Sequence, residues 1–165
     1  MLLVSRRQRA YAGRMIGTAS DATEQARLVV LDTNVFVAAA FHPGSRAARI
    51  VDAVRCGHLR LVWNEATRRE ARRILERIPP IPWTSFADLF REEDKHDDAV
   101  KPEWFGQVKD PADRVFGALA YAAGATLVTQ DDDLLAARSS VAVSILTTSE
   151  FVARHFGATE ELPDE

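Results

Sequence analysis

Leu28–Val37, LVVLDTNVFV, decides how the rest of the chain is read. Leu28 to Leu31 is a four-residue apolar run, which suits a short strand buried on both faces. Asp32 ends it and Asn34 follows two residues later. A second apolar run, Val35 to Phe41, contains Ala38, Ala39 and Ala40 and suits a helix better than a strand. A carboxylate directly after a buried strand is costly unless partnered. It also stands where open α/β sheets place their ligands, at the carboxyl end of a strand.

The chain has 165 residues, the size of one domain. A domain of that size buries about 70% of its unfolded surface, so its core needs no disulfide or structural metal. Hydrophobic residues are 47% and charged residues 27%, an ordinary globular balance. Cys56 is the only cysteine, which excludes an internal disulfide and a Cys-based zinc site. No run approaches the ~20 apolar residues of a membrane span. Leu2 to Val4 is too short for a signal-peptide core. A cytoplasmic protein with no membrane attachment is expected.

Net charge is −3, so the chain is not a globally basic nucleic-acid binder. The charge is uneven, however. Arg6, Arg7, Arg9 and Arg14 precede the first acid, Asp21; Arg68, Arg69, Arg72, Arg73 and Arg77 fall in one predicted helix. Asp110, Asp113, Asp131, Asp132 and Asp133 form two acidic clusters. Basic helix faces beside an acidic pocket suit a polyanion met through metal ions; solvated surface charge is the plainer reading of any single Arg.

Residues 1–27 are polar, Arg-rich and without a sustained period, and read as a flexible extension outside the core. A targeting peptide, a nucleic-acid-binding arm and a mis-chosen start codon are the alternatives for them. Ser45 is placed to cap a helix running to about Cys56, which Gly57 stops. Leu59 to Trp63 reads as a second strand. Asn64 reads as the cap of a helix from Glu65 to Ile78, which Pro79, Pro80 and Pro82 end. In that helix Thr67, Ala71, Ile74, Leu75 and Ile78 share one face, and Glu70 stands at its border. Asp110-Pro111 resembles a cap followed by proline at the first helical position, opening a buried helix to Ala123. Ala125 to Thr129 and Val141 to Leu146 read as two more strands. Asp132–Ala137 and Thr147–Phe156 read as helices, the latter capped by Thr148 or Ser149, and residues 157–165 as a frayed tail. Strands alternating with helices imply a three-layer α/β/α domain around a parallel sheet.

Four carboxylates matter because of their positions. Asp32 and Asp131 end strands, Asp113 opens a buried helix, and Glu70 borders a core face. In a parallel sheet the strand ends and the following helix starts share one edge, so all four can meet there. Crowded carboxylates stay ionised only when cations neutralise them. Oxygen ligands without His or Cys select Mg²⁺ or Mn²⁺, which activate water and stabilise phosphoryl oxygens. Each acid has a plainer role as well. Asp113 can pair with Asp110 as a capping box, Asp131 can cap the next helix, and Glu70 can pair with Arg73 or Arg77. Asn34 is either a turn residue or a support for Asp32. Thr129 either donates to a carboxylate or only finishes its strand, and Asp133 is either a fifth acid or a helix-start charge.

The LDTNV opening, the acid in Arg69-Glu70-Ala71, DPADR, LVTQDDDLL and the closing SILTTSEFVARH together resemble a PIN domain. They are similar in order and spacing to its bacterial branch of VapC-like toxin components, over roughly residues 28–156. The resemblance implies a sheet of about five strands, the fifth to come from residues 100–109. It implies a Mg²⁺- or Mn²⁺-dependent endoribonuclease with Asp32, Glu70, Asp113 and Asp131 as its acids and Asn34 and Asp133 as accessory residues. RNA would be the substrate, with a small antitoxin protein and a homodimer as possible associations. A non-catalytic RNA- or protein-binding module of the same fold is the alternative. A phosphatase of the haloacid-dehalogenase type needs a second Asp where Asn34 stands, and an amide cannot serve as its acid–base group.

Overall fold

The computed structural model describes residues 19–157, so the readings of residues 1–18 and 158–165 lie outside it. The described elements are α1 (Ala19–Ala26), β1 (Leu28–Leu31), α2 (Thr33–Phe41), α3 (Arg46–Arg55), β2 (Arg60–Leu61) and α4 (Glu65–Leu75). After four short 3₁₀ turns come α5 (Arg114–Ala123), β3 (Thr126–Val128), α6 (Asp132–Ala137), β4 (Ile145–Leu146) and α7 (Thr148–Phe156). The strands form one parallel sheet in the order β2-β1-β3-β4. Leu31 is in register with Val128, and Val128 with Leu146. This is the expected α/β architecture.

Strand alternation divides the core into two layers. Val29, Leu31, Leu61, Val128 and Leu146 face one layer, packed with Val35 and Phe36 of α2, Ile50 and Val54 of α3, Leu75 of α4 and Phe151 of α7. Val30, Val62, Leu127 and Ile145 face the other, with Phe116 and Leu119 of α5 and Leu134 of α6. Local chemistry sets the ends of the elements. Ser45 Oγ accepts the Ala48 N–H at 3.1 Å. Asn64 and Thr67 exchange side-chain-to-backbone bonds of 2.9 and 3.1 Å in a full capping box. Gly124 closes α5 at φ +63°, a left-handed position that favours glycine.

Several expectations are corrected. The sheet has four strands among the described residues, not five. Residues 100–109 supply no strand: Pro102, which has no N–H for a ladder, opens a 3₁₀ turn to Phe105. The position outside β2 is filled instead by one parallel bridge between Trp63 and Lys95. Arg60 and Val62 spend their N–H groups on the β1 side, so Trp63 bonds outward, to Asp94 and His96. The strand expected over Val141–Leu146 is reduced to its last two residues. The helix expected to reach Ile78 ends at Leu75. Thr147, not Thr148 or Ser149, caps α7, in a capping box with Glu150. Residues 19–26 form a helix where the sequence showed no sustained period. Arg60 ties it to the sheet edge, with Nη1 2.6 Å from Glu24 and Nε 2.7 Å from the buried Asp94. No helix of the described residues is long and apolar enough to cross a membrane.

Candidate active site

β1 and β3 are neighbours, so Asp32 and the Thr129–Asp131 segment emerge side by side from the same sheet edge. The Asp32 N–H still donates to Val128 O at 3.0 Å, which extends the ladder to the acid itself. The Asp32 carboxylate is 5% exposed. Thr129, fully buried, donates its hydroxyl to Asp32 Oδ2 at 2.8 Å and accepts the Asp131 N–H at 2.9 Å. One threonine thus joins the two acid-bearing strand ends. Burial pushes the Asp32 pKa up. The Thr129 bond and the nearby N–H groups of Thr33 and Asn34 oppose that, and the charge of Asp131 adds to it. Neither N–H makes a well-formed capping bond, so Asp32 begins α2 without being consumed as its cap.

Asp113 precedes α5, which runs back antiparallel to β3 and so starts at the same edge. Its reading as a capping-box partner of Asp110 is not what the chain does. Asp110 Oδ1 accepts the Ala112 N–H at 2.9 Å in a tight turn, and α5 begins only at Arg114. Asp113 occupies the cap position with no side-chain cap bond. Its carboxyl is instead pushed up to about 7, by burial first and then by the charges of Asp131, Asp32, Asp110 and Asp133. Asp131 does cap α6: its Oδ1 accepts from the N–H groups of Asp133 and Leu134 at 2.9 and 3.2 Å. Both bonds fall on one oxygen, so its plainer role and a ligand role are compatible.

The other expected residues are more open to solvent than Asp32. Glu70 lies five residues after the first residue of α4, roughly 7.5 Å along its axis. Both of its oxygens are taken by Arg73, at 2.6 and 3.0 Å. Asn34 is exposed on the first turn of α2. Asp133 faces Lys109, whose Nζ is 3.9 Å from Oδ1 on a side chain 85% exposed.

Two residues that the sequence reading did not single out belong to this edge. Thr33, 1% exposed, has a buried Oγ1 with no hydrogen-bond partner, directly after Asp32. Lys109 brings a cation to the outer acid. Thr33 was visible in the LDTNV stretch as a hydroxyl opening an apolar helix; Lys109 carried no signal.

Among the described residues, no three His, Cys, Asp or Glu side chains are drawn together into a closed ligand set. The donors nevertheless fit a hard divalent cation in kind and charge. They are all oxygens, one acid is nearly buried, and the pKa of a second is raised by burial and by the charges of the other acids. Bringing in a divalent cation would relieve that repulsion.

A family model described as PIN domain matches residues 28–133. No curated protein and no solved structure matches the chain. The matched segment runs from the first residue of β1 to Asp133 and takes in all four candidate acids. The chain belongs to the PIN domain family, whose fold is of nuclease type and whose members are in general metal-dependent nucleases.

Proposed function

We propose that this protein is a Mg²⁺- or Mn²⁺-dependent endoribonuclease that hydrolyses RNA phosphodiester bonds, and that it is the toxin component of a toxin–antitoxin pair. The nuclease unit is residues 28–156, flanked by an Arg-rich N-terminal extension and a short C-terminal tail. The observation that supports the reading best is the convergence of Asp32, Asp113 and Asp131 on one sheet edge, with Asp113 raised to about 7 by burial and by the charges of its acidic neighbours.

Asp32, Asp113 and Asp131 would hold the cation, and Glu70 would either join them or position water. Bound there, the cation would supply Lewis acidity toward a phosphoryl oxygen and would lower the pKa of water. The remaining work falls to the chain. Thr129 fixes the rotamer of Asp32 and the start of the Asp131 turn with one hydroxyl. The cap bonds from α6 hold Asp131 Oδ1 in place. Asp113, ionised above about 7, is the group whose charge state responds to what enters the site. Asn34 and Asp133 stand at the exposed margin, where substrate would pass. A small antitoxin that covers this edge, a homodimer and a cytoplasmic location complete the proposal.

The test is cleavage of labelled RNA by the full chain. Activity should require Mn²⁺ or Mg²⁺, vanish in EDTA, and fall more than about 100-fold in Asp32→Asn, beyond the effect of losing a group that only orients ligands. Cleavage undiminished in that variant removes the proposed site. Two observations favour a second reading, a non-catalytic RNA- or protein-binding module: Glu70 is clamped by Arg73, and among the described residues the acids are not drawn into a closed set. Calorimetric titration separates the two, because no Mn²⁺ binding at millimolar concentration would decide for the binding module.

A further inference from the structure

Five arginines lie on α4 and the turn after it, and the fold divides them into two sets. Arg68 stands over the rings of Trp63 and Trp83, at 5.5 and 5.8 Å. Arg72 stands 5.9 Å from the Trp83 ring and donates to Glu76 at 2.7 Å. These two cations are consumed in packing the helix.

Arg69 and Arg73 stand one turn apart on α4, about 6 Å along its axis, and Arg77 follows in the turn after Leu75. Arg69 and Arg73, four residues apart, share one face of the helix, and Arg73 meets Glu70 there. Arg73 is clamped on Glu70. Arg69 and Arg77 are exposed and make no ion pair among the described residues, although the charge of Arg69 is felt by Glu65. α4 packs against α2 and α5, the helices that begin just after Asp32 and Asp113.

An exposed guanidinium without a carboxylate partner is free to make paired bonds to phosphate. The row is one side chain wide, which suits one backbone rather than the two of a duplex. We infer that Arg69 and Arg77, on either side of the Glu70–Arg73 pair, form a track for the sugar-phosphate backbone of single-stranded RNA leaving the acidic edge. The choice of RNA rests on the ribonuclease reading above; the complementarity of charge is independent of it. The arginines hold substrate in register beside the acids and take no part in bond breaking.

Fluorescence anisotropy of a labelled oligouridylate, titrated with the full chain in EDTA between 50 and 200 mM salt, tests this. Each phosphate contact to single-stranded nucleic acid contributes about 0.7 to the slope of log K against log salt. The double variant Arg69→Gln/Arg77→Gln should therefore lower the slope by about 1.4. The charge-matched control Lys101→Gln/Arg154→Gln, at exposed positions elsewhere, should change it by less than half as much. An unchanged slope in the first variant, an equal fall in the control, or no binding at all overturns the track. Because binding is read in EDTA, the outcome does not depend on cleavage. Metal-dependent cleavage with an unchanged slope sinks the track alone, whereas a lowered slope without cleavage sinks the nuclease reading alone. Far-UV circular dichroism confirms that both variants fold.

Discussion

Asp113→Asn should stabilise this protein in EDTA at pH 8 and have almost no effect near pH 4. In the fold the Asp113 carboxyl is raised from an ordinary 3.8 to about 7, by burial and by four neighbouring carboxylates. In the unfolded chain it ionises near 3.8. Between these values the folded state binds more protons than the unfolded one, so stability falls as pH rises from about 4 to about 7. Above 7 the whole cost is present, and below about 4 it is gone. A rise of that size corresponds to roughly 4 kcal/mol at ~1.36 kcal/mol per pH unit. The group is partly exposed, and solvent screening brings the figure to on the order of 2 kcal/mol. Asparagine keeps the shape and removes the charge, so the variant should gain most of that at pH 8. For a domain of this length the gain is a Tm higher by roughly 4–8 °C. Thermal unfolding in EDTA at pH 4 and pH 8 measures it. The same scans with millimolar Mn²⁺ should raise the Tm of the wild type more than that of the variant, since a ligand bound only by the fold stabilises it by mass action. A variant no more stable than wild type at pH 8, or equally stabilised at both pH values, would refute the claim that burial and repulsion make the Asp113 charge a cost to the fold.

Gly117→Ala sets two effects against each other. Alanine gains about 1 kcal/mol of helix propensity in α5, but its Cβ would stand 2.8 Å from Cδ1 of Phe105, a ring only 4% exposed. Overpacking of about 1–3 kcal/mol should win, and urea denaturation should show a lower midpoint; a higher one would mean that Phe105 moves freely. Glu70→Gln should lower the rate of Mn²⁺-dependent RNA cleavage more than about 10-fold while moving the Tm by under about 2 °C, because an exposed pair such as Glu70–Arg73 contributes little to stability. An unchanged rate would leave Glu70 as the partner of Arg73 and nothing more.

The sequence was most legible where one residue's chemistry decides a local outcome. Ser45 and Asn64 could be read as caps because a side-chain oxygen before an amphipathic run has few other uses, and both make the expected bonds. Gly57 and Gly124 could be read as stops because few other residues accept a positive φ. It was least legible where neighbours in space choose between two local options. Asp110-Pro111 is compatible with a helix start and with a tight turn, and only the position of α5 against the sheet selects the turn. The Val141–Leu146 run has the composition of a six-residue strand, yet β3 is only three residues long and offers register for the last two alone. Pro102 was visible as an obstacle to a fifth strand. Nothing in the sequence told that Lys95, inside a charged stretch, would take the outer edge.

The candidate site divides along the same line. That acids follow β1 and β3 is a property of single positions, and strand adjacency then places Asp32 beside Asp131. What the sequence could not supply was how each carboxylate spends its oxygens. Asp113 and Asp131 looked alike as cap residues, yet one makes no cap bond and the other makes two. The difference follows from backbone geometry. Asp131 is extended at φ −75°, ψ 125°, which turns its carboxylate onto the first N–H groups of α6. Asp113 is already helical at φ −81°, ψ −19°, and its side chain makes no cap bond to its own helix end. The acid that fails as a cap is therefore the one left to repel its neighbours. A fold that needed Asp113 only for α5 would gain by placing an extended cap residue there. Keeping an uncapped, half-buried carboxylate among four others is a standing cost to the fold, and a divalent cation at this edge is what would remove it.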